Sequence, residues 1–249
     1  MPVSDNFLFD PVQKFGRIPD IDGGNTNEDV WDGEGAYPFP TVPVAMTVSS
    51  DSAEDTATTG TGARSVEVYT LDVNGVESEV VYDMAGLTPV SIPGDQYRVY
   101  RAYVITPGSH GTNVGTIYVG SGVVTNGVPD VVYAQIQPDV GQTLMAVYTI
   151  PVQSSGGQEY TGGQIVRWYA NCGAVQAAYA TIALQTRDPG RAWRSRRTHS
   201  ISEGGPMDEE VRFGINLKPM TDIRARVIIN GANNTSIAAG FDIKLRQKV

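Results

Sequence analysis

Residues able to do covalent chemistry are few and scattered in this chain. Histidine occurs twice, His110 in PGSHGTN and His199 in RRTHSIS, and cysteine once, Cys172 in ANCGA. Nucleophilic catalysis needs a nucleophile and a base held together, with a third group orienting the base. No serine stands in the glycine-flanked strand-to-helix elbow. Cys172 has no basic neighbour in sequence to lower its pKa, and the arginines beside His199 disfavour its protonation. Two histidines and one cysteine cannot complete a four-ligand zinc site without carboxylates. Asp20-Ile-Asp22-Gly23 opens like a calcium loop, with Asn25 and Glu28 as further oxygen donors. The next alternate position is Gly24 and the twelfth is Trp31, so the loop pattern fails. Gly60-Thr61-Gly62-Ala63-Arg64 has phosphate-loop glycines but no lysine and no following helix. The acids of DSAED and of Asp208–Glu210 are adjacent rather than placed across a groove. The expectation is a protein that is not an enzyme, with no catalytic residue, no metal and no cofactor, and with both histidines and the cysteine structural.

Residues suited to protein contact are more concentrated. Arg187, Arg191, Arg194, Arg196 and Arg197 crowd eleven positions around Pro189-Gly190 and Trp193. Arginine offers a flat, permanently charged fork for carboxylates and aromatic faces. Charge of the opposite sign sits at the other end of the chain. The net charge is −9, and the first 55 residues hold eleven acids against Lys14 and Arg17, so the remainder is neutral. An acidic balance argues against a dedicated nucleic-acid binder. The same acidic stretch carries Trp31, Tyr37 and Phe39, spaced as anchors of the kind that carry most of the energy in an interface. The expected partner-binding set is therefore Trp31, Tyr37, Phe39, Arg187, Arg191, Trp193, Arg194, Arg196 and Arg197. In one reading the acidic segment lies against the arginine loop of a neighbouring subunit; in the other it folds back over its own domain.

The elements that position these residues read as strands. The length, 249 residues with 28 Gly and 15 Pro, allows one large domain, or one domain plus an arm. Residues 1–45 are rich in proline and turn residues and read as an extended acidic N-terminal arm; 46–249 read as a β-sandwich domain. Val66, Val68 and Thr70 alternate with Glu67, Tyr69 and Leu71 ahead of Asn74-Gly75, a strong hairpin signal. Alternation returns at 96–106 and in roughly ten further short segments separated by turn residues. GAVQAAYATIALQTR (173–187) suits either helix or strand, and its strand-like neighbours favour strand. The fold expected is all-β, an antiparallel, jelly-roll-like β-sandwich with the arm attached. No repeat of 20–50 residues is visible, which argues against a propeller. No apolar run is long enough for a membrane helix. The first residues show no basic start followed by an apolar stretch, so no secretory signal is expected. A lone cysteine suits synthesis in a reducing cytoplasm.

The stretch VWDGEGAYPFPTVPVAMTVSSDSAEDTATTGTGARSVEVYTLDVNGVESE resembles a pattern in structural proteins of tailed-bacteriophage virions: a Trp-Asp-Gly arm, serine-rich turns, a Gly-Ala-Arg turn, a strand and a Leu-Asp hairpin. Further echoes are QYRVYRAYV, Ser109–Ile117, Gly141–Pro151, TRDPGRAWR at Thr186–Arg194, and Thr221–Leu245. The likeness covers roughly 28–245 and includes no catalytic motif. It implies assembly within a virion made in the host bacterial cytoplasm. The expected role is a capsid decoration (cement) protein, an oligomer (dimer or trimer) contacting the major capsid protein or other virion proteins, with no membrane or direct nucleic-acid contact. The alternatives are a neck, tail or fibre-attachment component and a carbohydrate-binding adhesin.

Overall fold

The computed structural model describes residues 8–24, 27–174, 179–202 and 204–249. In chain order its strands begin with β1 (Phe9–Ile21), β2 (Glu28–Asp29), β3 (Val44–Ser50), β4 (Ala63–Leu71) and β5 (Glu77–Asp83). They continue with β6 (Val90–Gln96), β7 (Arg98–Pro107), β8 (Ile117–Thr125), β9 (Val128–Ile136), β10 (Val147–Thr149) and β11 (Tyr160–Ala174). The last are β12 (Tyr179–Arg187), β13 (Arg194–Ser202), β14 (Met207–Leu217), β15 (Asp222–Asn230) and β16 (Thr235–Gln247). Among the described residues there is no helix. Part of the alanine-rich segment, 175–178, lies outside the described residues; 173–174 end strand β11 and 179–187 are strand β12.

The chain is all-β, but the expected jelly-roll sandwich is overturned. Four small antiparallel sheets stand as the blades of a four-bladed, propeller-like ring. The first sheet has the order β1-β16-β11-β14, the second β10-β15-β12-β13 with β2 on β15, the third β6-β3-β8-β9 and the fourth β5-β4-β7. A repeat-built propeller winds each blade from consecutive strands. Here the first sheet takes its strands from both ends of the chain, so no blade-length repeat exists for the sequence to display.

Apolar burial is divided in two. One core, with Trp168, Phe241, Ile165, Ile182 and Ile223, lies between the first and second sheets. The other, with Met46, Val48, Val66, Ile117 and Ile136, lies between the third and fourth. The Asn74-Gly75 hairpin forms as expected from its residues. Gly75 takes φ +79, and the Asp72 carboxylate accepts the Asn74 and Val76 amides at 2.8 and 2.9 Å.

Two segments read otherwise in the sequence are strands. Residues 9–21, assigned to the extended arm, pair along β16, with Lys14 opposite Phe241 and Ile18 opposite Ile237. The inward positions of β1 are Val12, Lys14, Gly16 and Ile18, so a lysine and a glycine break the apolar period that would have marked a strand. Residues 194–197, read as the end of the arginine loop that begins at Arg187, instead open β13, at the edge of the second sheet. An edge strand needs only one partner, and a row of arginines there repels a second copy of the same edge.

Lys14 is the odd residue among these inward positions. Its side chain is buried, its Nζ donates to the Tyr100 carbonyl, and it stands 5.9 Å from the centre of the Tyr100 ring. Burial, with Arg101 as a smaller repulsive neighbour, pushes its pKa well below the ordinary 10.5. The unfolded chain therefore binds this proton more readily than the folded one, and Lys14 makes stability rise with pH up to that ordinary value. Lys14→Met is expected to raise stability at neutral pH by about 1 kcal/mol and to flatten that rise. Urea denaturation from pH 6 to 10 tests this; a less stable variant would show that the charged amine is well paired.

Candidate functional site

The site grows from the segment between β2 and β3. Gly33 permits it to close: a Cβ there would lie 2.1 Å from the Trp31 ring. Trp31 then donates from Nε1 to the Gly35 carbonyl at 3.2 Å and meets Tyr37 edge-on, centroids 5.2 Å apart. Tyr37 donates its hydroxyl to the Val99 carbonyl of β7 at 2.7 Å, and its ring meets Phe39 at 4.7 Å. Phe39 continues the row to Trp193, 5.0 Å away, in the turn that joins β12 to β13. The aromatic anchors and the arginine-rich turn thus meet within one chain. Trp31 and Tyr37 are both 3% exposed, inside the second core, which is the fold-back arrangement of the acidic segment.

Arginines stack against this row. The Arg187 guanidinium lies 5.0 Å from the Phe39 ring and 4.6 Å from Trp193. Arg224 lies 4.0 Å from Trp193, and Arg98 lies 5.3 Å from Phe39 and 3.8 Å from Tyr97. Asp222, at the start of β15, holds two of them. Arg98 donates to its two oxygens at 3.0 Å each, Arg187 reaches it at 2.6 Å, and Thr149 donates at 2.7 Å. Arg98 also donates to the Pro40 carbonyl at 2.7 Å, which pins the end of the aromatic segment. Alongside, the buried Asp29 accepts the Tyr37 amide at 2.8 Å and Arg224 at 3.2 Å, with Arg226 3.6 Å away. Burial raises the Asp29 carboxyl above its ordinary range despite these two cations. Burial likewise lowers Arg224 to about 10. Both directions result from taking charges out of water, so this pair costs desolvation that its hydrogen bonds only partly offset.

The remaining predicted residues divide. Arg196 donates to Thr186 at 2.7 Å. Arg197 pairs with Glu209 at 3.2 Å, and the same carboxylate bonds His199 at 2.8 Å. Arg191 and Arg194 are exposed, and neither shows a side-chain partner among the described residues. Arg191 stands over a shallow cleft of about 250 Å³ lined by Pro40, Tyr97, Arg187 and Asp222. The acids of DSAED are structural in part: the buried Asp55 carboxylate accepts the amides of Ala63, Val114 and Gly115 and the Ser50 hydroxyl, at 2.6 to 2.9 Å. His110 bonds Asp139 at 2.6 Å on the surface, and Cys172 is buried in the first core. Among the described residues no group of three or more His, Cys, Asp or Glu is placed to hold a metal ion. No helix there is long and apolar enough to cross a membrane.

The central residues, Arg98, Asp222, Arg224 and Asp29, escaped the sequence reading. Arg98 and Asp222 lie 124 positions apart, each inside a strand, and no local spacing links them. Asp222→Ala is expected to destabilise the protein by about 3–5 kcal/mol, because it leaves Arg98 buried without a counter-charge. Arg194→Ala, on the surface, should stay within about 0.5 kcal/mol of the parent. Chemical denaturation of the two variants checks the contrast, and similar small losses in both would refute it.

No family model matches the chain, and no curated protein matches it. Among solved structures it is similar to one of the infectious bursal disease virus Gx strain, at 12% identity and a TM-score of 0.27, over 97% of this chain and 73% of that one. A VP2 subviral particle of the same virus gives 12% identity and a TM-score of 0.24, over 98% and 73%. Scores this low do not assign the four-sheet arrangement to a known fold.

Proposed function

We propose that this chain is a structural protein of a tailed-bacteriophage virion, a capsid decoration protein that works by protein–protein contact. The observation carrying this reading is how the chemistry-capable groups are used. Arg98, Asp222, Arg187, Asp29 and Arg224 lock chain segments to one another around an aromatic row. Such buried pairing hardens a body, which is the property a shell component under mechanical stress needs. The segment resemblance over roughly 28–245 supplies the particle type. Arg191 and Arg194, exposed beside Trp193, are the members of the expected set left to meet a partner such as the major capsid protein.

A second reading, glycan binding, has one observation in its favour. The outer face of the first sheet carries a groove of about 460 Å³ lined by Phe15, Tyr169, Met207, Arg167 and Asp208. Tyr169 lies flat across β16 because residue 240 is glycine; a Cβ there would sit 2.4 Å from the tyrosine hydroxyl. An aromatic face with planar charged groups beside it suits a sugar ring.

Mass spectrometry and reconstruction of purified particles test the first reading. Decoration requires copies on the order of hundreds on the head, whereas about a dozen or fewer at the vertex or tail means a neck or tail part. Absence from particles, together with binding on a glycan array that Tyr169→Ala abolishes, would replace it with the second.

A further inference from the structure

Each open sheet edge in this fold is a row of unpaired N–H and C=O groups, and most are blunted. Edge strand β1 carries Pro11 and Pro19, and β6 carries Pro93 followed by Gly94 at φ +73. Pro129 and two register shifts disturb β9, three shifts disturb β7 against β4, and β14 has a shift and Gly214 at φ +58. Such devices keep an edge from recruiting a strand. Strand β5 has none of these along its length; the loop after β10 covers its first residue, where the Glu77 amide donates to the Gln153 carbonyl at 2.9 Å. The strand pairs with β4 without a single shift from Ser65 opposite Asp83 to Leu71 opposite Glu77. It contains no proline, glycine or lysine, and its adjacent Val80 and Val81 are 38% and 50% exposed, one on each face of the sheet. Its charge is mostly of one sign: the β4–β5 hairpin sets Glu67, Asp72, Glu79 and Asp83 against Arg64, while Glu77 turns inward to the Tyr100 and Tyr148 hydroxyls.

Of the other edges free of proline and glycine, β10 is three buried residues, which leaves β13, RSRRTHSIS; it shifts once against β12, between Leu184 and Gln185, runs in regular register from Arg197 to Ser202, and its charge is the opposite. It lies in a different sheet, the outermost strand beside β12, and Arg194 at its start has no side-chain partner among the described residues. We infer that β5 of one molecule pairs with β13 of a second copy, so that two sheets continue across the contact. Main-chain hydrogen bonds give this pairing its affinity, and the carboxylates of one edge against the guanidinium groups of the other give it register. Because the two edges differ, the contact is head-to-tail: repeated with closing geometry it makes a ring, and without closure a chain of subunits. The pairing does not depend on the virion reading, since it is a property of the purified protein.

Sedimentation of the purified chain, with charge reversal on side chains that bond nothing within the molecule, tests it. The parent is expected to self-associate, less so at high salt. Asp83→Arg and Arg194→Glu should each weaken association at least tenfold, and the variant carrying both changes should regain it. Val81→Lys, which places a guarding lysine on the edge, should weaken association while leaving the thermal midpoint unchanged. A parent that stays monomeric at all concentrations, single reversals without effect, or a double reversal that fails to recover would each overturn the pairing.

Discussion

The Asp222 carboxylate between two guanidinium groups is the constraint on which the rest of this structure depends. It stands at the start of β15, in the sheet pair that encloses the first core, while Arg98 opens β7, in the pair that encloses the second. Burial of a charge is tolerated only when it is paired and its remaining hydrogen-bonding capacity is met. Both oxygens of Asp222 are used, and Arg98 turns its third nitrogen to the Pro40 and Tyr97 carbonyls. The two cores are thus held in one geometry by a group that accepts few other arrangements. Apolar packing alone tolerates sliding between sheets; a bidentate fork does not.

The distribution of charge takes on a different meaning once the fold is known. The buried acids of the N-terminal segment find their counter-charges inside the molecule, outside the Arg187–Arg197 run, which the segment meets through an aromatic ring. Asp29 meets Arg224 and Arg226, Asp32 meets Arg17, and Phe39 carries the row of rings to Arg187 and Trp193. Desolvation raises the pKa of both aspartates, so these pairs act less as a source of stability than as specifiers of how the segment is threaded. What remains on the surface is a smaller and separated complement, acidic along β5 and basic around Arg191 and Arg194.

Several elements were legible because a local rule governs them. Asn74-Gly75 formed its hairpin, and the alternation of Val66, Val68 and Thr70 marked β4, since a strand buried on one face must place apolar groups every second residue. The strands that escaped reading were those where that rule is relaxed. Lys14 and Gly16 occupy inward positions of β1, and β13 is an edge strand of arginines and hydroxyl residues. Arg187, Trp193, Tyr37 and Phe39, grouped in the sequence as partner-binding residues, contact one another within the chain. Their partners Arg98 and Asp222 were not legible, since nothing in the residues around a buried ion says that its counter-ion lies 124 positions away.

By itself the sequence determined an all-β chain, many of the places where it turns, and the sign and location of its charge. These features depend on period, turn chemistry and side-chain type, all of which act over a few residues. Only the tertiary structure decided that the strands divide into four sheets around two cores, that both chain ends share one sheet, and that the acidic segment finds its arginines in its own chain. Those outcomes depend on which strands pair across more than 200 residues. Many pairings satisfy the same alternation, and the choice among them is made by side-chain volumes and buried charges meeting in space.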